Sequence, residues 1–173
     1  LPDSSGQDPA TVPVVMAREA PQPPPESRPP AARVAELEAV RAAGQGEVCA
    51  GVLELMSVLS AAGIRRDLVY AGGRAGMLGG GPGTGADADA VDRALEQLAR
   101  RSLLFFSPDS PVVIAHRQVL RVVRDQVAGQ GRLGATCRAA ASALEAWSEA
   151  LAGSPDRPAV RDVPRQVAAL RDV

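Results

Sequence analysis

Few residues in this chain could do chemistry. They are one histidine, His116, two cysteines, Cys49 and Cys137, the acid pair Asp87 and Asp89, and a glycine-rich run, Gly81-Pro82-Gly83-Thr84-Gly85. The glycine run invites a phosphate-cradling reading, but a Walker loop needs a lysine to reach the β- and γ-phosphates. All 19 basic residues here are arginine. A dinucleotide fingerprint would need a strand before it, and the preceding residues read as helix. The run is therefore expected to be a flexible insertion. The cysteines are far apart and form no Cys-x-x-Cys, so two reduced, buried thiols are expected. Asp87 and Asp89 lack the spacing of metal ligands. His116 has no serine or cysteine at the spacing of a nucleophile–base pair. What remains is an imidazole that titrates near neutrality and donates to an anionic oxygen. The competing reading is a histidine satisfied by backbone at the end of a strand.

The elements that must position His116 are unusually legible. Leu103 to Phe106 and Val112 to Ile114 are rich in strand-favouring types. They flank Ser107-Pro108-Asp109-Ser110, which has the composition of a tight turn. Pro111 opens the second strand, where a missing N–H does least harm. Val119, Leu120, Val123 and Val127 then recur at helical spacing. His116 thus falls where a hairpin ends and a helix begins.

The rest of the chain reads as helices. Residues 1–32 hold nine of the 15 prolines and read as a linker, with a ligand for a proline-recognising module as the sharper alternative. A short helix is expected over 32–43, with Val34, Leu37 and Val40 on one face. A longer one is expected over 47–62, where Val48, Val52, Leu55, Met56 and Leu59 form a stripe and Gly63 stops it. Residues 66–71 form another short helix and 72–89 a glycine-rich loop. Residues 90–101 form a helix capped by Asp87 or Asp89, with Val91, Leu95 and Leu98 inward. Residues 136–152 form an alanine-rich helix with Ala140, Leu144, Trp147 and Leu151 on one side. Asp162 ahead of Pro164 reads as a final helix start, with Val163, Val167 and Leu170 a stripe left with nothing to cover. Leu55, Leu59, Leu95, Leu98, Phe105 and Val123 are expected to be buried together.

Composition sets the limits. The apolar fraction is 46% but the aromatic fraction only 2%, so the core must be built from Leu, Val and Ala, which favours packed helices. A net charge of −1 gives no field to draw the chain onto nucleic acid or membrane. No apolar run approaches the roughly 20 residues of a membrane helix. No signal-peptide pattern follows Leu1, and the chain reads as a piece of something longer.

These elements predict a mainly α chain. Three helices and a hairpin in that order make a winged-helix domain over residues 33–129, with a three-helix core, a β-hairpin wing and the loop 72–89 inserted. A hairpin is marginal alone, so it must pack on the helices. Residues 130–173 then read as antiparallel helices of a helical-repeat type.

Three segments, LELMSVLSAAGIRRDLV (53–69), ALEQLARRSLLFFS (94–107) and VVIAHRQVLRVVRD (112–125), resemble the winged-helix segment of bacterial NB-ARC-type STAND ATPases. In that family the segment lies between the nucleotide-binding core and a C-terminal array of tetratricopeptide repeats. The resemblance implies a regulatory relay that couples nucleotide state to a helical-repeat sensor. It places His116 at the histidine of the Met-His-Asp motif, which contacts the β-phosphate of ADP. Ala115 and Arg117 stand where the family has Met and Asp. The P-loop, Walker B acids and sensor arginine are not on this chain. No enzyme activity and no bound cofactor are therefore expected of it alone, with ADP or ATP belonging to the parent protein. The implied partners are the upstream nucleotide-binding domain, the downstream repeats and further copies on activation, in the cytoplasm. The alternative is a DNA-binding winged-helix regulator. Against it, the third helix offers Asp89, Asp92, Arg93 and Glu96, with Arg100 and Arg101 only at its C-terminal end, and the wing tip carries Asp109. Acids there would meet phosphates directly. As a group these charged residues read most simply as a solvated helix face.

Overall fold

The computed structural model describes Ala32, Ala35, Glu36, Glu38, Ala39, residues 46–79 and residues 85–173. The five residues between 32 and 39 are helical, as expected for 32–43. The calls on residues 1–31, on Val34, Leu37 and Val40, and on the run at 80–84 lie outside the described residues.

Among the described residues the chain is mainly helical with one small antiparallel sheet. In order come α1 (Gly46–Ser57), β1 (Ile64–Arg65), α2 (Arg66–Arg74), α3 (Ala88–Arg100), β2 (Leu104–Phe106), β3 (Val112–Ala115), α4 (Arg117–Gly129), α5 (Leu133–Ala150) and α6 (Arg157–Arg171). The strand order is β1-β3-β2.

Several expected boundaries move, each for a physical reason. The first long helix ends at Ser57, five residues short of position 62. The Ser57 hydroxyl bonds the Glu54 carbonyl at 2.7 Å, a local contact that competes with the helix ladder. The guanidinium of Arg124 takes the Ser57 carbonyl from the side of α4, with Nε at 2.7 Å. Val58 and Leu59 stay buried in the turn that follows. Helix α2 runs three residues past the expected stop. Gly72 and Gly73, read as breakers, are helical because the chain must pass closely there. A Cβ on Gly73 would lie 2.7 Å from the Ala86 carbonyl oxygen. Helix α3 starts at Ala88, so the expected loop 72–89 is shortened at both ends, and Asp87 caps the helix by accepting from Ala90 N at 2.7 Å. Strand β1 went unforeseen. Two residues are too few for an alternation, and only pairing of Ile64 with Val113 and Arg65 with Val112 defines it.

The C-terminal reading needs the largest correction. Asp162 does not begin a helix. Asp156 does, accepting from Ala159 N at 3.0 Å, and Pro158 occupies the first turn. Pro164 lies inside α6. Its missing N–H orphans the carbonyl of Val160, a residue 47% exposed, so water can replace the lost bond. Helix α6 is also not left uncovered. Val163, Val167 and Leu170 pack against the core, and Gln166 is fully buried. The Gln166 amide accepts from Ser60 N at 2.9 Å and donates to the Gly63 carbonyl at 3.0 Å. Asp162, also buried, accepts from the Gln166 amide and pairs with Arg165 at 2.5 Å.

One hydrophobic cluster runs from Cys49 to Ala159, so the line drawn between residues 129 and 130 falls between helices that share a core. Leu55, Leu59, Leu95, Leu98 and Val123 belong to it. Phe105 does not. It is 47% exposed, because Leu104 takes the inward position and a strand alternates its faces.

Truncating Leu98→Ala should cost about 2–5 kcal/mol in a denaturant melt, whereas Phe105→Ala should stay within about 0.5 kcal/mol. Gln166→Ala removes the acceptor of the Ser60 N–H and one of the two donors to the Gly63 carbonyl, and should cost about 1–3 kcal/mol. A loss below about 0.5 kcal/mol for Gln166→Ala would mean α6 is not docked through this side chain.

Candidate functional site

Three facts fix the geometry at His116. Its N–H donates to the Leu103 carbonyl at 3.2 Å, extending the β2–β3 ladder by one bond. Its carbonyl accepts from Leu120 N at 3.1 Å, the first bond of α4. Its backbone is extended, with φ −67° and ψ 129°, as an N-cap residue requires. The ring is held as well. Nδ1 accepts from Gln118 N at 3.4 Å, a long bond that still serves one of the orphan donors of the first turn. A neutral ring that accepts at Nδ1 carries its proton on Nε2. The ring is half-buried and Arg117 beside it is exposed. The imidazole and the exposed Arg117 thus stand at the N-terminal end of a 13-residue helix.

The acids and arginines of α3 sit differently from a plain solvated face. Asp92 accepts from the Tyr70 hydroxyl at 2.6 Å and lies 3.7 Å from Arg66. Burial and the carboxylate of Asp92 push the Tyr70 phenol up. Arg100 pairs with Glu96 at 3.3 Å and Arg101 with Glu36 at 3.2 Å. Arg93, Glu96 and Arg100 remain exposed.

A comparison with known proteins adds no relative. No family model, no curated protein and no solved structure matches the chain.

Sequence reasoning missed a cleft of about 520 Å³ between α1, residues 76–79 and the start of α5. Its floor is small and apolar, with Ala50, Gly51, Ala135 and Ala139. At its rim Arg132 grips Glu54 with two bonds of 2.7 and 3.1 Å. Glu54 is 14% exposed on its side chain, so this pair ties α5 to α1 and is already satisfied. His116 does not line the cleft. No local pattern could have flagged it, since its walls come from three stretches distant in sequence that only folding brings together. Among the described residues no group of three His, Cys, Asp or Glu could hold a metal ion. No helix among them is long and apolar enough to cross a membrane.

The cysteines part company with expectation. Both are free thiols, but only Cys49 is buried, and Cys137 is half-buried on α5. Cys49 Sγ lies 3.8 Å from the Ala94 carbonyl and 3.7 Å from Gln97 Oε1. Burial pushes its thiol up, with Arg101 pulling weakly the other way. An unfolded Cys49 would lose its proton at lower pH than the folded one. Its contribution to stability is thus present below the ordinary thiol range and is lost as the pH rises through the folded value. A thiol reagent at pH 8 should label Cys137 well before Cys49, with Cys49 reacting only at the rate of opening. Equal labelling rates, read by mass spectrometry, would contradict the packing of α1 on α3.

Proposed function

We propose that this chain is the regulatory winged-helix relay of a STAND-type, NB-ARC-like signalling ATPase, coupling the nucleotide state of an upstream domain to a C-terminal helical-repeat sensor. The observation that carries the reading is the His116 corner. The hairpin ladder closes on this residue and α4 starts from it, so an imidazole is fixed at the joint of two rigid elements. Helices α1, α2 and α3 followed by the β2–β3 hairpin have the order of a three-helix core with a wing. The antiparallel pair α5 and α6 stands where the first helical repeat would lie.

The residues suit one end of a bound ADP. The phosphates would supply anionic oxygens, and the His116 imidazole would meet one of them. Arg117, where the family has an acid, adds positive charge. The base, the ribose and the metal-bound phosphates would need residues of another domain. On this reading the relay works mechanically. A pull on His116 reaches α4, and α4 is bonded to the end of α1 through Arg124 and Ser57. Helix α6 grips the turn after α1 through Gln166. Movement at the nucleotide would therefore be delivered to α5 and α6 as a rigid body.

The DNA-binding alternative is weakened by the pairing on α3. Arg66 is turned toward Asp92, Arg100 toward Glu96 and Arg101 toward Glu36. A reading helix needs those cations for phosphates.

In the intact parent protein, His116→Ala should speed ADP release about 10- to 100-fold, the worth of a hydrogen bond to a charged group. His116→Gln, which keeps a donor, should lose less. Unchanged ADP retention in His116→Ala would reject the assigned role. A gel shift with random duplex at low salt should show no binding at micromolar protein, and salt-sensitive binding there would favour the DNA reading.

A further inference from the structure

The sheet has two edges, and the fold treats them differently. At the β1 edge the preceding turn is covered by α6. The Gly63 carbonyl accepts from Gln166 and Arg165. Arg65, only 8% exposed, reaches Asp156 at 2.6 Å. The β2 edge has no such cover among the described residues. His116 N donates to the Leu103 carbonyl and Ser107 N to the Val112 carbonyl. These bonds turn residues 103, 105 and 107 toward β3. The N–H and C=O of Leu104 and Phe106 therefore point the other way, outward. No hydrogen bond among the described residues reaches them from outside the sheet.

Natural sheets guard such edges with lysine, proline or inward charge. This strand reads Leu-Phe-Phe and carries no charge or proline. It holds the only two phenylalanines of the chain, 47% and 36% exposed. Phe105 lies on the outer face with its neighbour Ile114, and Phe106 on the other face beneath the Arg66 guanidinium, 4.7 Å from the ring centroid.

We propose that β2 is a self-association edge, through which two copies of this chain pair antiparallel about a two-fold axis at Phe105. The strand is its own complement in that register. Leu104 of one copy faces Phe106 of the other, and both present the outward N–H and C=O that an antiparallel hydrogen-bonded pair exchanges. Phe105 faces Phe105 of the second copy in the close, non-hydrogen-bonded position, where an aromatic pair adds to strand pairing. The apolar outer-face row of Val112, Ile114 and Phe105 then continues into its copy. Charge agrees with this direction. The exposed hairpin tip carries Asp109, and the base carries Arg117, exposed at the start of α4. Antiparallel pairing sets each acidic tip beside the basic base of the other copy, whereas parallel pairing would set like beside like. A second copy fits better than an unrelated strand because symmetry meets every one of these requirements twice. The surface is independent of the nucleotide reading above.

The interface is small, so association is weak, with a dissociation constant on the order of 10–100 µM. Sedimentation velocity on the full chain from about 10 µM to about 1 mM should show the mass rising from 17.8 kDa toward twice that value. Phe105→Asp sets two carboxylates face to face and should weaken dimerisation about tenfold or more. Phe105→Lys should do the same, and mixing the two variants should restore a dimer of one of each. Register is read separately by oxidation. Across a non-hydrogen-bonded pair the Cα atoms stand roughly 4.5 Å apart, within disulfide reach. In a Cys137→Ser background, Phe105→Cys should form a covalent dimer and Ser107→Cys should not. A wild-type chain that stays at 17.8 kDa throughout overturns the proposal, as does a dimer indifferent to Phe105→Asp. Equal cross-linking at both positions overturns the register. If Phe105→Asp lost its thermal melt, the oxidation result alone would decide.

Discussion

At Gly63 the first helix, the sheet and the last helix meet with no room for a side chain. The residue has φ +108°, which L side chains rarely adopt. A Cβ there would lie 2.7 Å from Val112 Cγ1, 2.8 Å from Ile114 Cγ1 and 2.9 Å from the Val113 carbonyl oxygen. The turn after α1 can therefore lie flat against β3 only because the position is glycine. That contact brings Ile64 into register with Val113 and makes a sheet of three strands from a hairpin of two. It also aims the Gly63 carbonyl outward to Gln166, and so seats α6. The third strand, the start of α2 directly after it and the docking of the C-terminal helix all depend on this one crossing.

Around that point the molecule is held by packing of small and aliphatic side chains, with a few polar ties at the joins. Trp147 is buried on α5, and Ala140, Ala143 and Leu144 complete its inner face. Arg124 to the Ser57 carbonyl, Arg132 to Glu54 and Gln166 to residues 60 and 63 each bridge elements distant in sequence. Gln166 stands out among these ties, because a fully buried amide stabilises only one arrangement of α6. Displaced, it would leave buried polar groups unpaired, each costing about 1–3 kcal/mol. Such side chains specify a unique docking more than they add to total stability. These ties join α4, the start of α5 and α6 each to α1 or to the turn that follows it.

The two exposed features of interest, the His116 corner and the β2 edge, belong to the same hairpin but face different tasks. At His116 the backbone groups are used by the ladder and by α4, and the ring accepts from Gln118 N. At β2 the backbone groups of Leu104 and Phe106 are what remain, and the side chains are apolar.

The sequence by itself determined the hairpin, its turn, the histidine at the junction and the inward faces of α3, α4 and α5. These are local: strand-forming types around Pro108-Asp109, valines at helical spacing after His116, and an aspartate cap before α3 act within a few residues of themselves. Phe105 was misplaced because composition marks a strand but not which face of it lies inward, and the register with β3 decides that. Only the tertiary structure decided strand β1, the persistence of α2 through two glycines and the burial of Asp162. The cleft beside Glu54 and the covering of one sheet edge but not the other were decided there too. Each of these depends on a partner that is remote along the chain. Two extended residues become a strand only against Val112 and Val113, and a glycine in a helix becomes a close contact only against Ala86. Asp162 becomes buried only once Gln166 has docked on the turn after α1.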